Sequence, residues 1–314
     1  MFFWQRWILK NSFLSKIASS MGIRGQIIEI GDSDLWCDFF GEKSNPALVL
    51  LMGGGCQGII WTPAYSEKLA AAGFYVIRFD QRDTGLSSYC KKSYTLLDMA
   101  KDVIKLLDRL GIKKAHMMGI SMGGAISQIL AAEFPSYVRS LILIATSNDF
   151  RPIAAAMKGE FHQEFPVSYP EREWFLWVKE VEQIPVLAFR KRLKKHMDGW
   201  RILNGKKTEF PYKYYLHLLK ESIKRQRSYK ALLNHQSALL ASLDILQETK
   251  GNIPVPTLII HGGCDPLFPK DHPKSVASSI VHSKLLLIEE MGHNFCPCFQ
   301  LQTIEEIIVF LKHG

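Results

Sequence analysis

Residues 115–125 read AHMMGISMGGA: an apolar run of strand length, then Gly-x-Ser-x-Gly-Gly, then the beginning of a helical pattern. A serine between a strand and a helix sits on a sharp turn that crowds the positions two before and two after it. Gly119 and Gly123 occupy those positions, and glycine has no Cβ to clash there. The pattern is typical of a nucleophile elbow, with Ser121 as the candidate nucleophile. The alternative is an ordinary Gly-rich turn with an N-capping serine.

On both sides of this stretch, apolar runs of strand length alternate with helical patterns. Strands are predicted at 25–30, 35–40, 47–52, 75–79, 115–120, 141–145, 256–261 and 284–288, and helices at 62–72, 96–110, 122–133 and 304–312. Thr95, with Asp98 three residues later, predicts the N-terminal cap of the second helix. The alternation predicts the α/β class, with a mostly parallel, doubly wound sheet and helices on both of its faces.

Residues 150–250 interrupt this alternation, because they contain long helical patterns and no convincing buried strand. With 314 residues, of which 47% are hydrophobic, the chain is long enough to bury a large core. We predict a core domain formed by residues 24–149 and 251–314, with a helical cap inserted at residues 150–250. Residues 1–23 precede the core as a basic amphipathic segment.

The formal net charge of +9 is concentrated in the predicted cap. Residues 151–250 carry 19 Lys and Arg against 11 Asp and Glu, so the rest of the chain is close to neutral. No RNA- or DNA-binding motif accompanies this charge, and we expect no nucleic-acid partner. Two interpretations remain open: a solvated basic surface, and a surface that attracts anionic or lipid-like substrates.

Residues 1–23 mix aromatic side chains with cations and contain no acidic residue. A signal peptide would need a longer unbroken apolar centre. The segment is either a short helix packed on the core or a helix in peripheral contact with an anionic membrane. The chain has six cysteines and no apolar run of membrane-spanning length. We therefore expect a cytoplasmic protein in a reducing compartment, and make no prediction of its oligomeric state.

A serine hydroxyl is a poor nucleophile at neutral pH, and it needs a base that an acid holds in the right tautomer. Asp265 comes just after the strand at 256–261, and His293 follows a glycine in the loop after 284–288. The order serine, acid, histidine is the one expected around a nucleophile elbow. Asp265 has an alternative interpretation as a turn aspartate before proline. The histidines at positions 116, 261 and 282 are interpreted as packing or surface residues.

Three consecutive glycines at 53–55 follow the strand at 47–52. Gly-rich backbone can approach a substrate closely and direct N–H groups towards it. We predict an oxyanion hole formed by the backbone N–H groups of Gly54 and Met122, the latter at a helix start, where negative charge is favoured. The alternative is a flexible turn. A site formed by a serine, an acid, a histidine and an oxyanion hole needs no cofactor and no metal ion, and we expect neither.

Together these motifs resemble the α/β-hydrolase superfamily, and within it the serine esterase branch that includes the aclacinomycin methylesterases. They are LMGGG at 51–55, Trp61, IRFDQRDTGLS at 77–87, GISMGG at 119–124, HGGCDP at 261–266 and GH at 292–293. The resemblance covers the chain from about residue 22 onward and is weak across 150–235. It implies a triad of Ser121, Asp265 and His293, and a structural loop at 82–85 that braces the elbow. Met52-Gly53-Gly54 stands where many relatives have His-Gly, which changes the pocket lining.

The leading hypothesis is hydrolysis of a carboxylic ester, either a small molecule or lipid-like, through an acyl-enzyme. Lactone, thioester or C–C bond hydrolysis are alternatives within the same fold. Dehalogenases and epoxide hydrolases of this fold carry aspartate at the elbow, and Ser121 argues against both. A catalytically silent binding protein would be expected to lose a triad member. A metal or thiol site using Cys264, His293, Cys296 and Cys298 is a further alternative, although no second cysteine pair stands at zinc-finger spacing.

Overall fold

One eight-stranded sheet organises the part of the chain that the computed structural model describes, which is residues 25–31, 33–182, 189–226 and 231–313. Its strands are β1 (Gln26–Glu29), β2 (Asp34–Phe40), β3 (Ala47–Leu51), β4 (Tyr75–Phe79), β5 (Ala115–Ile120), β6 (Val138–Ile144), β7 (Thr257–Gly262) and β8 (Ser283–Ile288). Their order is β1-β2-β4-β3-β5-β6-β7-β8. β2 pairs antiparallel with β1 and β4, and the other pairings are parallel. The prediction of a mostly parallel sheet is confirmed.

Helices cover both faces of this sheet, as predicted. They are α1 (Pro63–Ala71), α2 (Leu96–Leu110), α3 (Met122–Glu133), α4 (Arg151–Lys158), α5 (Arg172–Glu182), α6 (Phe189–Leu203), α7 (Tyr212–Arg225), α8 (Ala231–Leu240), α9 (Leu243–Glu248), α10 (Asp271–Ser279) and α11 (Pro297–His313). On one face, Val49 and Met117 share a buried apolar cluster with side chains of α2 and α3. On the other, Leu48 and Met118 share a second cluster with side chains of α1 and α11. Two cores therefore stabilise the sheet from both sides.

The parallel register brings the carboxyl ends of neighbouring strands to one edge of the sheet. Leu51 of β3 pairs with Gly119 of β5, and Gly262 of β7 pairs with Ile288 of β8. The loops that follow these four strands therefore emerge at the same edge. Open α/β sheets place their sites at this edge.

The start of α2 has the predicted cap. Thr95 Oγ1 accepts the N–H of Asp98 at 3.2 Å, and Asp98 Oδ2 accepts the N–H of Thr95 at 2.8 Å. The helix ends at Gly111, which has a φ of 72°. These local bonds satisfy backbone groups that the first turn of a helix leaves unpaired, so the cap could be predicted from the sequence alone.

Two helices differ from the prediction. α11 begins at Pro297 rather than at 304, because the polar residues that interrupt its apolar pattern are satisfied internally. Gln300 donates to Phe295 O at 2.9 Å, and Thr303 donates to Phe299 O at 2.7 Å. α10 was not predicted at all, since it begins with the polar sequence DHPK at 271–274.

Between β6 and β7 the described residues form the six helices α4–α9 and no strand. That this segment acts as a cap, with the limits 150–250, stays a prediction. Residues 1–23 lie outside the described residues, so the amphipathic segment stays a prediction as well. In the described part of the chain, no helix combines the length and the apolar character needed to cross a membrane.

Candidate active site

Ser121 lies between β5 and α3 in a strained backbone conformation, with φ of 54° and ψ of −121°. L-residues adopt such a conformation only where the surroundings hold it. The N–H of Ser121 donates to Ile144 O on β6 at 2.9 Å, and its carbonyl accepts the hydroxyl of Thr146 at 2.8 Å. Both bonds use the backbone of Ser121, whose residue surface is only partly buried.

The glycines around Ser121 are required by the packing of α3 against the sheet. A Cβ added to Gly119 would lie 2.3 Å from Gly123 O, and one added to Gly123 would lie 2.5 Å from Leu51 O. A Cβ on Gly124 would lie 2.7 Å from the Thr146 side chain. The Gly-x-Ser-x-Gly-Gly pattern therefore reflects a close approach of α3 to the ends of β3 and β6.

Residues 53–56, which carry the predicted oxyanion donor Gly54 and are named the oxyanion loop, lie directly against the elbow. A Cβ on Gly53 would lie 3.3 Å from Ser121 Cβ, and one on Gly54 would lie 3.5 Å from Met122 Sδ. The loop is a β-turn closed by the bond from Cys56 N–H to Gly53 O at 3.2 Å. The structure thus brings together Gly54 and Met122, the two residues predicted to supply oxyanion N–H groups.

Asp265 and His293 meet at the carboxyl ends of β7 and β8. His293 Nδ1 lies 2.8 Å from Asp265 Oδ2, and the carboxylate is fully buried. The other oxygen, Oδ1, accepts the N–H groups of Leu267 at 2.8 Å and Phe268 at 3.0 Å. An ionised carboxylate only accepts, so His293 Nδ1 carries the proton and Nε2 presents a lone pair. This is the tautomer that a general base needs.

The surroundings of Asp265 favour its ionised form. Burial acts to raise the pKa of this carboxyl, but the electrostatic attraction and hydrogen bond of His293, the nearby His261 and the Phe268 N–H together outweigh it. The net result is a pKa below the ordinary value of an aspartate. The carboxylate therefore stays charged at neutral pH and can hold the His293 ring.

His261 is buried, as predicted for a packing histidine, but it also faces the acid. Its Nε2 donates to Phe268 O at 2.9 Å and lies 3.5 Å from Asp265 Oδ2. Burial outweighs the attraction of Asp265 and lowers the pKa of His261, which keeps the ring neutral. His116 is buried in β5, with a pKa lowered by burial to about 4, and His282 is exposed.

The end of α6 holds the loop that carries His293, a contact that the sequence did not predict. The N–H groups of His293 and Asn294 both donate to Leu203 O, at 2.7 Å and 3.2 Å. Asn294 Nδ2 also donates to Trp200 O at 2.7 Å, across 94 positions of sequence. Because these bonds use backbone carbonyls of a distant helix, no local pattern signals them.

Replacing Gly292 by Ala is expected to displace His293 and to lower kcat by about 10- to 100-fold. The new Cβ would lie 2.4 Å from the backbone carbonyl atoms of Asn204, which cannot rotate away. Gly159→Ala is the matched control: nothing lies within 4 Å of its Cβ, so only its φ of +83° is strained, at a cost of about 1–2 kcal/mol. Steady-state ester hydrolysis and thermal unfolding should be measured for both, and an unchanged kcat in Gly292→Ala would contradict the expectation.

The loop after β4 is structural, as the resemblance implies, and it contacts the neighbours of the elbow. Gln81 donates to Met52 O at 2.6 Å, just before the oxyanion loop. Arg82 forms two bonds of 2.6 Å to Asp102 on α2, and both side chains are largely buried. The loop therefore braces α2 and the end of β3, and it supports the elbow through the oxyanion loop.

The cysteines near the site are free thiols. Cys296 Sγ and Cys298 Sγ lie 2.9 Å apart, and burial raises the pKa of Cys296 to about 12. Cys264 Sγ donates to Glu289 O at 3.2 Å. Across the described ranges, no group of three or more His, Cys, Asp or Glu side chains is placed to hold a metal ion.

The chain also matches a known family of proteins. The sequence model of the α/β hydrolase fold family matches residues 46–297. The chain belongs to this family. The matched region contains the serine between β5 and α3, the acid after β7 and the histidine after β8. The resemblance stated from the sequence motifs is confirmed.

Relatives of this α/β hydrolase include a curated enzyme and solved structures. Rhodomycin D methylesterase DnrP of Streptomyces peucetius is 30% identical over 267 residues, which cover 82% of this chain and 88% of the relative. A hydrolase from Pseudomonas aeruginosa has a TM-score of 0.71 and 24% identity, covering 91% and 98% of the two chains. The esterase EaEST from Exiguobacterium antarcticum has a TM-score of 0.70 and 23% identity, covering 92% and 99%. The two structures show the shared fold, and the methylesterase relative supports an ester hydrolase.

Proposed function

We propose that this α/β hydrolase cleaves carboxylic esters through an acyl-enzyme formed on Ser121. The proposal rests above all on the bond of 2.8 Å between His293 and a buried Asp265, at the edge of the sheet that also carries the strained serine. A buried carboxylate that fixes one nitrogen of a histidine prepares the other nitrogen to act as a base. The methylesterase activity named for the Streptomyces relative supports an ester as the substrate.

In the proposed mechanism, Ser121 Oγ attacks the ester carbonyl while His293 Nε2 takes its proton. The negative charge that develops on the carbonyl oxygen is stabilised by the N–H groups of Gly54 and Met122. His293 then gives its proton to the leaving alcohol, and the acyl group remains on Ser121. A water molecule then attacks the acyl carbonyl while His293 takes its proton. The bond to Ser121 Oγ breaks, the acid leaves and His293 returns the proton to Oγ; Asp265 stabilises the imidazolium in both halves of the cycle. No step requires a cofactor or a metal ion, so activity should survive EDTA.

Buried aromatic side chains pack against one another beside the His293 loop. The ring of Phe295 lies 6.3 Å from that of Trp61 and 6.0 Å from that of Tyr65. Trp200 of α6 lies 5.0 Å from Tyr215 of α7, and Tyr215 belongs to the same apolar cluster as Phe295. The helices of the predicted cap therefore extend the buried aromatic cluster that contains Phe295, two residues after the proposed base.

Part of the basic charge of the predicted cap is structural. Arg225 pairs with Asp80, and both are buried. Arg151 and Lys250 pair with Asp149. Other cations remain at the surface: Lys213 and Lys220 are exposed on α7, seven residues apart and so on one face of the helix. We infer that this face draws anionic or lipid-like esters towards the site.

A graded substrate screen tests this proposal. With p-nitrophenyl esters from acetate to decanoate, we expect kcat/KM to be highest for medium or longer acyl chains; lactones and thioesters test the related reactions. Binding to vesicles should rise with anionic lipid content and fall with salt, because charge attraction is screened over about 10 Å at 0.1 M. Zwitterionic vesicles are the control. Salt-independent activity on short esters without vesicle binding would reject the lipid-like substrate, and no hydrolysis of any ester would reject the proposed activity.

A further inference from the structure

His235 of α8 connects two loops of the core, although it lies within the predicted cap. Its Nδ1 accepts the N–H of Gly55 in the oxyanion loop at 2.9 Å, across 180 positions of sequence. Its Nε2 lies 2.7 Å from Arg82 O in the loop after β4. The side chain is only 1% exposed. Both ring nitrogens are therefore used, each by the backbone of a different loop.

These partners determine the tautomer of His235. A carbonyl oxygen only accepts, so Nε2 carries the proton, and an N–H only donates, so Nδ1 presents a lone pair. The charged groups that face the ring are Arg82 and Asp83, and the ring of Tyr94 packs edge-on at 6.5 Å. Burial outweighs the attraction of Asp83 and lowers the pKa of His235, which agrees with a neutral ring.

The N–H that His235 accepts belongs to the central peptide of the oxyanion loop. Gly55 is the third residue of this β-turn and has a φ of 67°, which suits a turn with a left-handed third residue. Three consecutive glycines have wide conformational freedom, so the turn alone restrains that central peptide only weakly. A bond to its N–H fixes the orientation of the peptide that follows Gly54.

The opposite end of His235 is anchored firmly. Arg82, whose carbonyl accepts from Nε2, has its side chain paired with Asp102 on α2. On the preceding residue of α8, Asn234 Nδ2 donates to Asp83 Oδ2 at 2.9 Å. The start of α2 is also bonded to this region, since Leu96 N–H donates to Ser242 Oγ at 2.8 Å. Polar bonds at residue 234 of α8 and at residue 242, just after its end, therefore hold this segment on the core before and after His235.

We propose that His235 is a positioning residue that holds the oxyanion loop in its productive conformation. The inference rests on the proposed function, because it requires Gly54 N–H to stabilise the oxyanion. The imidazole makes no bond to the reacting atoms in this role. His235 acts through its bond to Gly55. The correct placement of Gly54 N–H therefore depends on the packing of α8, a helix of the predicted cap, against the core.

Two substitutions separate the two bonds of this histidine. In His235→Asn, the side-chain oxygen lies near the former Nδ1 and can still accept from Gly55, while the bond to Arg82 is lost. In His235→Gln, the terminal amide reaches the former Nε2 position and can donate to Arg82 O, while Gly55 loses its acceptor. Each variant thus loses one buried hydrogen bond, so the two should have similar thermal stability.

The proposal predicts different kinetics for the two variants. We expect kcat of His235→Gln to fall by about 100-fold with KM within a factor of about two, since removal of an oxyanion donor costs about 10²–10³-fold. His235→Asn should keep kcat within about threefold of wild type. A boronic acid inhibitor, whose tetrahedral oxygen uses the same donors, should bind His235→Gln more weakly by a similar factor.

Equal kcat in the two folded variants would overturn the proposal, because a purely structural role predicts equal losses. If neither variant folds, hydrogen exchange in the wild type decides the question. The Gly55 amide should be protected, and rapid exchange there would also overturn the proposal. Failure of the proposed function is distinguished from failure of the His235 proposal by the wild type alone. If the proposed function is wrong, wild type will neither hydrolyse esters nor react with a fluorophosphonate.

Discussion

Ser121→Ala is expected to abolish labelling by a fluorophosphonate probe and to lower kcat for ester hydrolysis by about 10⁴–10⁶-fold. The hydroxyl is the proposed attacking group, so its removal ends acyl-enzyme formation rather than weakening substrate binding. The backbone bonds of Ser121 to Ile144 and Thr146 do not use the hydroxyl. Alanine therefore keeps the contacts that hold the strained turn, and the variant should unfold at nearly the same temperature as wild type.

The measurement is intact-protein mass after incubation with the probe, together with steady-state kinetics. Wild type should gain one phosphonyl group, and Ser121→Ala should gain none. Ser278→Ala, an exposed serine on α10 outside the site, is the control and should be labelled like wild type. Equal labelling of wild type and Ser121→Ala would show that another residue reacts and would remove Ser121 from its proposed role.

The fold was predictable because its signals are local. The bounds of β4 and β5 agree with the prediction, since each is a mainly apolar run that a polar residue follows. In a parallel sheet, the residues that follow such runs gather at one edge. Ser121, Asp265 and His293 each follow a strand, so their common location at this edge could be expected without a structure.

The supporting contacts of the candidate site could not be predicted in this way. Leu203 holds the His293 loop through a backbone carbonyl, which any residue type would supply. His235 is one histidine on a helix of mixed pattern, and its bond to Gly55 spans 180 positions. The sequence shows which groups have suitable chemistry, whereas the packing of distant helices decides which of them meet. For the same reason, the bounds and contacts of the helices between β6 and β7 were less predictable than those of the sheet.

Asp265→Asn is expected to lower kcat by about 10⁴-fold, because it should reverse the tautomer of His293. Two backbone N–H groups, from Leu267 and Phe268, donate to Asp265 Oδ1. The asparagine keeps an oxygen at that position, since its amide nitrogen cannot accept those bonds. Its NH₂ group is then directed at His293 Nδ1, which must present a lone pair to accept from it. The proton of the imidazole moves to Nε2, and the ring can no longer take a proton from Ser121.

This reversal can be observed separately from activity. In protein labelled with ¹⁵N-histidine, Nδ1 of His293 should carry the proton in wild type, and Nε2 should carry it in Asp265→Asn. Asp265→Ala is the matched comparison: it removes both the carboxylate and the amide, so the ring has no imposed tautomer and kcat should fall less than in Asp265→Asn.

Removal of the carboxylate also removes a group whose pKa is lowered in the folded state. Such a group stabilises the protein above the ordinary aspartate pKa, so wild type and variants must be compared for thermal unfolding at neutral pH, where this contribution is fully present. Near-normal activity in Asp265→Asn, with the wild-type tautomer retained, would mean that another carboxylate orients His293.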